Sequence, residues 1–234
     1  NFEDELRYLL DHLKKNSTTQ RQHFMFSATM PNAVEDLVNQ YLNRNRVVHI
    51  SVGEIGKIVD RIDQQFVFIE NPSHKRRQLT TTLDSLLQKT TNPKVILFTN
   101  RKKDVDSITR LMNYHLSSIG IHGGKNEKKR REAINAFRDG DVQCLVATDV
   151  AGRGIDVSDV THVINLDMPS QFSSYKHRVG RTARAGQYGT SISFITPDDA
   201  DIVKQLQSHF KHTGHVIPTA FQSFEQKEFS EINL

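Results

Sequence analysis

Apolar positions along this chain follow two periods in alternation. Short runs rich in β-branched residues predict buried strands at Ile62 to Ile69, Lys94 to Phe98, Leu116 to Ile121, Val142 to Ala147, His162 to Leu166 and Ser191 to Ile195. Between them, apolar residues recur at helical spacing: Leu79, Leu83, Leu86 and Leu87; Val105, Ile108 and Leu111; Ala133, Ile134 and Phe137; Ile202, Val203, Leu206 and Phe210. Strands joined through single helices connect by right-handed crossovers, which set them parallel and place helices on both sheet faces. The pattern predicts an α/β fold, a three-layer domain with a mostly parallel sheet over residues 58–213. Ligands of such sheets sit beyond the carboxyl ends of the strands. Thr99-Asn-Arg101, His122-Gly-Gly124 and Thr148-Asp149 occupy those ends.

The flanks read differently. Phe2, Leu6, Leu9, Leu10 and Leu13 predict an amphipathic helix, followed by the polar run Asn16 to Gln20. A strand (His23 to Ser27), a helix (Val34, Leu37, Val38, Tyr41, Leu42) and a short strand (Val47 to Ile50) follow. Two strands and two helices can hardly cover a sheet by themselves. Residues 1–51 are therefore expected to be the tail end of another domain, with 52–57 as linker. The strand from His23 should lack native partners, which predicts disorder, a non-native packing or pairing with another chain. Residues 214–234 form a carboxyl-terminal extension whose Phe221, Phe224 and Phe229 show no period, either packed or disordered.

Composition narrows the class. The 234 residues are 36% hydrophobic and 25% charged, as in ordinary globular domains and unlike collagen or low-complexity chains. Apolar runs reach four residues, as in Val95 to Phe98, too short to span a bilayer. The acidic start Asn1-Phe-Glu-Asp-Glu is no visible secretory leader, and the missing initiator Met suggests further residues upstream. The single cysteine, Cys144, excludes an internal disulfide framework and points to a reducing, intracellular compartment.

Charge then directs attention to phosphate. There are 31 basic and 27 acidic residues, a net charge of +4, mild enough to attract a polyanion without proving one. The distribution says more. Lys125, Lys128, Lys129, Arg130 and Arg131 crowd together, which fits a solvated helix face as well as a binding one. In His177-Arg178-Val-Gly180-Arg181-Thr-Ala-Arg184-Ala-Gly186, arginines recur at every third position. On a helix that spacing projects them from nearly one face, and guanidinium planes suit phosphate oxygens. Leu145-Val-Ala-Thr148-Asp149-Val-Ala-Gly152-Arg153-Gly154-Ile-Asp156 runs from an apolar strand into a Gly-Arg-Gly turn ending on a carboxylate. Such a turn can hold a phosphate and Asp156 a ribose, although a plain loop with a capping Asp reads equally well.

These two segments, in this order, resemble motifs V and VI of the DEAD-box RNA helicases. Ser27-Ala28-Thr29 resembles motif III, Val95 to Arg101 motif IV, and His122-Gly123 with Arg130 motif IVa and its helix. The resemblance covers about residues 20–213 and implies a RecA-like helicase C-terminal domain preceded by a fragment of the first RecA-like domain. It implies that Arg181 and Arg184 are arginine fingers for the ATP γ-phosphate. His177 would couple them to motif III, and Gly154 and Asp156 would contact the nucleotide. Thr99, Arg101, Gly123, Arg130 and Thr148 would hold an RNA sugar-phosphate backbone, single-stranded or duplex. Ser27, Thr29, Arg153 and Arg178 would couple the two domains.

Three departures qualify the likeness. Glu127 stands where the family usually has Gln, three residues before Arg130, and should pair with a nearby Lys or Arg rather than face a phosphate. Gly124-Lys125 replaces the usual Asp after His-Gly, which makes that loop more positive. This His-Gly-Gly-Lys variant resembles the U5-associated spliceosomal DEAD-box subfamily, which acts in the exchange of U1 for U6 at the 5′ splice site. The subfamily implies a nuclear protein with spliceosomal partners. Ala183 replaces a usual Gly and should leave the arginine geometry alone.

Neither Gly-x-x-x-x-Gly-Lys-[Ser/Thr] nor Asp-Glu-Ala-Asp occurs in the sequence. The family keeps both, with the Mg²⁺ of bound ATP, in the first domain. The chain should thus be inactive alone, carrying the fingers and half of the clamp. Rival readings are a non-catalytic RNA-binding or protein-docking scaffold, and a DNA-directed helicase of the same superfamily.

Overall fold

Val95-Ile-Leu-Phe98 has no polar side chain to turn toward water, and all four residues are buried. A strand apolar on both sides belongs inside a sheet covered on both faces, which is where this one lies. The structure, a computed structural model, describes residues 2–15, 22–27, 32–42, 47–50, 58–149, 155–222 and 224. The chain divides into two units, residues 1–57 and 58–234.

The first unit holds two helices, α1 (Phe2–Lys15) and α2 (Asn32–Tyr41), where the apolar spacing expects them. Arg7 donates to Gln40 at 2.5 Å between them. The expected strands His23–Ser27 and Val47–Ile50 do not form: residues 22–27 and 47–50 join no ladder. Strands exist by exchanging backbone hydrogen bonds, and these segments find no neighbour in register. Phe24 and Phe26 are exposed. The expected linker, 52–57, lies outside the described residues.

The second unit alternates strand and helix. Its elements are β1 (Ile62–Phe68), α3 (Lys75–Lys89), β2 (Val95–Phe98), α4 (Lys102–Met112), β3 (Ser118–Ile121), α5 (Glu127–Asp139), β4 (Cys144–Ala147), β5 (His162–Asn165), α6 (Phe172–Val179), β6 (Gly189–Ile195) and α7 (Ala200–Thr213). The six strands make one sheet in the order β1-β6-β5-β2-β4-β3, every pair parallel. Among the described residues every strand pair is parallel, in keeping with the α/β domain and mostly parallel sheet that the sequence predicts.

The two-residue period of the inner strands sorts their side chains between two cores. Val95, Leu97, Cys144, Val146 and Ile164 pack with Leu79, Leu83, Val105, Ile108 and Met112 of α3 and α4. Ile96, Phe98, Leu145, Ala147 and Val163 face the other way, onto Ala133 and Phe137 of α5. A third cluster joins α6, α7 and the tail, where Phe221 is fully buried and its ring lies 4.7 Å from that of Phe66. The extension is thus packed as far as Phe224. Phe229 lies outside the described residues.

Candidate functional site

Parallel strands point their carboxyl ends the same way, so the loops after β5, β2, β4 and β3 line up along one edge. This edge gathers Asp167 after β5, Thr99, Asn100 and Arg101 after β2, Thr148 and Asp149 after β4, and His122 and Gly123 after β3. Arg101 and Gly123 are exposed. Thr148 is buried, and its hydroxyl finds no partner among the described residues. Arg130, in the first turn of α5, leaves its Nε buried and unpaired in the same way. Buried donors without acceptors are costly, by about 1–3 kcal/mol each. Both stand toward the carboxyl ends of the strands, where sheets of this kind place their ligands.

Sequence expectations at this edge need adjustment. Thr99 is fully buried and its hydroxyl donates to Asp167 Oδ2 at 2.7 Å, so its donor is already committed. Glu127 does pair with an arginine, and that arginine is Arg130 itself, at 3.4 Å. Lys125 does not project into solvent as a free positive charge. Its Nζ donates to Gly120 O at 2.6 Å on the edge of β3 and lies 3.4 Å from Asp106 of α4.

Arg178 knits the edge together. Although it is 1% exposed, its guanidinium is fully employed. Nε and Nη2 meet the Asp149 carboxylate at 2.5 and 2.9 Å, Nη1 donates to Asp167 O at 2.6 Å, and Nη2 donates to Asn100 Oδ1 at 2.8 Å. The Phe98 ring lies 5.2 Å beneath it. One side chain of α6 thereby ties the loops after β2, β4 and β5. Asp167 adds a second knot: Oδ1 accepts from Lys75 Nζ at 2.8 Å, and Oδ2 accepts also from Asn100 N at 3.1 Å. Burial disfavours its ionised form, but Lys75 and then Thr99 and Asn100 outweigh this and hold the carboxyl below the usual range.

The three arginines do not share a helix face. α6 ends at Val179, and Arg181 and Arg184 lie in the turns that lead to the amino end of β6. Thr182 between them is buried, and its hydroxyl donates to Val160 O at 2.5 Å, just before β5. The helix stops because the chain must cross back to begin β6. Ala183 and Ala185 take left-handed φ of 55° and 49°, and Gly186 follows at 82°. Arg181 Nη1 and Arg184 Nη1 then converge on one acceptor, Ile155 O, at 2.9 and 3.3 Å. Arg184 Nη1 also meets Asp156 Oδ1 at 2.9 Å. Burial lowers the pKa of Arg181; the Arg184 charge adds to this and Asp156 opposes it. The two cations on this carbonyl thus share the single carboxylate of Asp156.

His177 is half-buried in α6, and its carbonyl accepts from Arg181 Nε at 3.0 Å. Ser27 is exposed in the first unit. Thr29, Arg153 and Gly154 lie outside the described residues. Sequence reasoning missed Asp167, which its place just beyond β5 could have flagged. It also missed Lys75, which nothing in the sequence links to a residue 92 positions away.

Residues 77–186 match the model of the helicase conserved C-terminal domain. The chain is 35% identical to the E. coli DEAD-box protein SrmB, solved bound to regulator of ribonuclease activity A, over 63% of this chain and 85% of that one, with a TM-score of 0.51. The chain belongs to the DEAD-box RNA helicase family. It is 40% identical over 188 residues to the pre-mRNA-splicing ATP-dependent RNA helicase PRP28 of Coccidioides immitis (strain RS), covering 80% of this chain and 22% of that protein. It thus spans about a quarter of the length of such curated relatives. Mss116p, solved with single-stranded RNA and AMP-PNP, superposes with a TM-score of 0.77 at 26% identity, over 89% of this chain and 43% of that one.

Proposed function

We propose that this chain serves, within a longer protein, as the second RecA-like domain of an ATP-dependent RNA helicase. The observation that carries the reading is the convergence of Arg181 and Arg184 on the single carbonyl of Ile155. The shared carbonyl is neutral and Asp156 brings one negative charge to two guanidinium groups, which leaves donors and one positive charge to spare, and a triphosphate supplies both complements. In this role Arg181 and Arg184 meet the oxygens of the transferring γ-phosphoryl group and stabilise the charge that develops there. Asp156, exposed beside Arg184, is suited to the nucleotide sugar, with Gly154 nearby in sequence. His177 and Arg153 couple this end to the first domain, the side from which Ser27 and Thr29 come, while Arg178, its donors spent inside the second unit, serves the coupling only by holding the loops after β2, β4 and β5 in place. Among the described residues no three His, Cys, Asp or Glu side chains gather as metal ligands. Mg²⁺ would enter with bound ATP and be held mainly by the first domain, as the family resemblance implies.

Arg101, Gly123, Arg130 and Thr148 form the other half of the reading, a surface for an RNA sugar-phosphate backbone. Contacts of this kind fix a strand without reading its sequence. Likeness to PRP28 supports pre-mRNA splicing as the process, the nucleus as the place and spliceosomal proteins as partners. Among the described residues no helix is long and apolar enough to cross a membrane.

The test has two parts. In the longer protein, Arg181→Ala should lower ATP hydrolysis by about 10³-fold or more while ATP binding stays near the parent value. Hydrolysis that survives the change would overturn the finger assignment. The 234-residue chain alone should show negligible ATP turnover and weak, salt-sensitive RNA binding. Turnover typical of an intact helicase would overturn the reading as a partial machine.

A further inference from the structure

The loop after β2 is built on a negative charge. Thr99 Oγ1 and Asn100 N both donate to Asp167 Oδ2, at 2.7 and 3.1 Å. A carboxylate is a good acceptor around which to fold a loop and a poor neighbour for a phosphate backbone. Like charges repel, and more strongly where water is partly excluded. The Asp167 side chain is 24% exposed, so its field reaches the edge where Arg101 and Thr148 stand. Arg178 does not cancel it. That guanidinium touches Asp167 only at the backbone carbonyl, and Asp149 already matches its charge.

The geometry points to Lys75 as a positioning residue of the RNA surface: its ammonium group, 2.8 Å from Asp167 Oδ1, neutralises the carboxylate on which the clamp loop is folded. Lys75 opens α3 and is itself 18% exposed, held at the carboxylate rather than out in solvent. The Asp167 carboxyl is held ionised, so there is a charge to cover at neutral pH. This inference rests on the reading of the carboxyl-end loops as an RNA surface.

The test uses the 234-residue chain and a fluorescent oligouridylate of about ten nucleotides, a length typical of sequence-tolerant sites. Kd is measured across a salt series. Lys75→Met should weaken binding by roughly tenfold, because it uncovers the carboxylate. The slope of log K against log salt should not change, because no phosphate contact is lost. Lys75→Met/Asp167→Asn removes both charges, and binding should return to within about threefold of the parent, which loss of fold would not do. Asp167→Asn alone keeps an acceptor for Thr99 and should bind at least as tightly as the parent.

Three outcomes would overturn the inference while the RNA reading stands. They are a Lys75→Met variant that matches the parent in Kd, a double variant that stays as weak as Lys75→Met, and a slope that falls by about 0.7, which marks Lys75 as a phosphate ligand. A parent chain that fails to bind the probe at low salt would overturn the RNA reading itself, and this inference with it.

Discussion

Arg178 and Arg181 are three residues apart and have opposite fates. Arg178 is an interior tie whose donors are spent on Asp149, Asp167 and Asn100, whereas Arg181 is only partly buried and shares its acceptor with Arg184. The motif spacing gives no hint of this, because the helix ends between them. Backbone conformation at the turn yields a prediction. A non-glycine residue in the left-handed region costs roughly 1 kcal/mol, and Ala183 and Ala185 both occupy it. Ala183 is half-buried against the third core cluster, where its methyl returns about 0.4 kcal/mol, while Ala185 is exposed and returns nothing. Ala185→Gly should therefore raise stability by about 0.5–1 kcal/mol and Ala183→Gly by less, as read from urea unfolding midpoints. The reverse order would show that packing, not φ, governs this turn. The alanine at 183, where the family usually has glycine, carries a backbone cost that the sequence does not reveal.

Elements place these residues by how closely they approach one another. A Cβ added at Gly189 would stand 2.0 Å from Thr182 Oγ1 and 2.8 Å from Ala183 N. The first residue of β6 is thus the floor on which the arginine turn rests. Gly189→Ala should destabilise the second unit by roughly 1–3 kcal/mol, the usual cost of overpacking. It should also lower ATP hydrolysis in the longer protein by displacing Arg181 and Arg184. Unchanged hydrolysis and stability would mean that the turn is not seated there. The inner strands were the most legible elements, since uninterrupted runs such as Val95 to Phe98 have no reading other than a two-sided core. Residues 23–27 and 47–50 carry a comparable signal and form no strand. β propensity describes how a residue fits a ladder and cannot supply the partner.

At the scale of the molecule, the second unit carries its two candidate surfaces in different places. The loops after β2, β3 and β4 sit at the carboxyl edge, while Arg181 and Arg184 lie on the segment that returns to the amino end of β6. Packing around that unit also sets a pH dependence. Burial lowers the pKa of His162, and burial with His215, Lys176 and His212 lowers that of His209. A histidine whose folded pKa is depressed binds more protons unfolded, so its stabilising share is complete above about pH 6.5 and is lost as pH falls toward the folded value. The urea midpoint should drop between about pH 7.5 and 5.5, and His162→Gln should shallow the drop. A midpoint that rises on acidification would contradict this.

The sequence by itself determined the class of fold, the order of strands and helices along the chain, and the residue types that meet phosphate. Those features are local: period, run length and motif spacing are properties of neighbours. Only the tertiary structure decided that Thr99 faces inward to Asp167, that Lys125 caps a strand edge, that Arg178 is interior and that Lys75 faces a carboxylate 92 residues away. Each of these depends on which strands lie side by side. Sheet order is set by the packing of whole elements and leaves no mark on the spacing of residues along the chain.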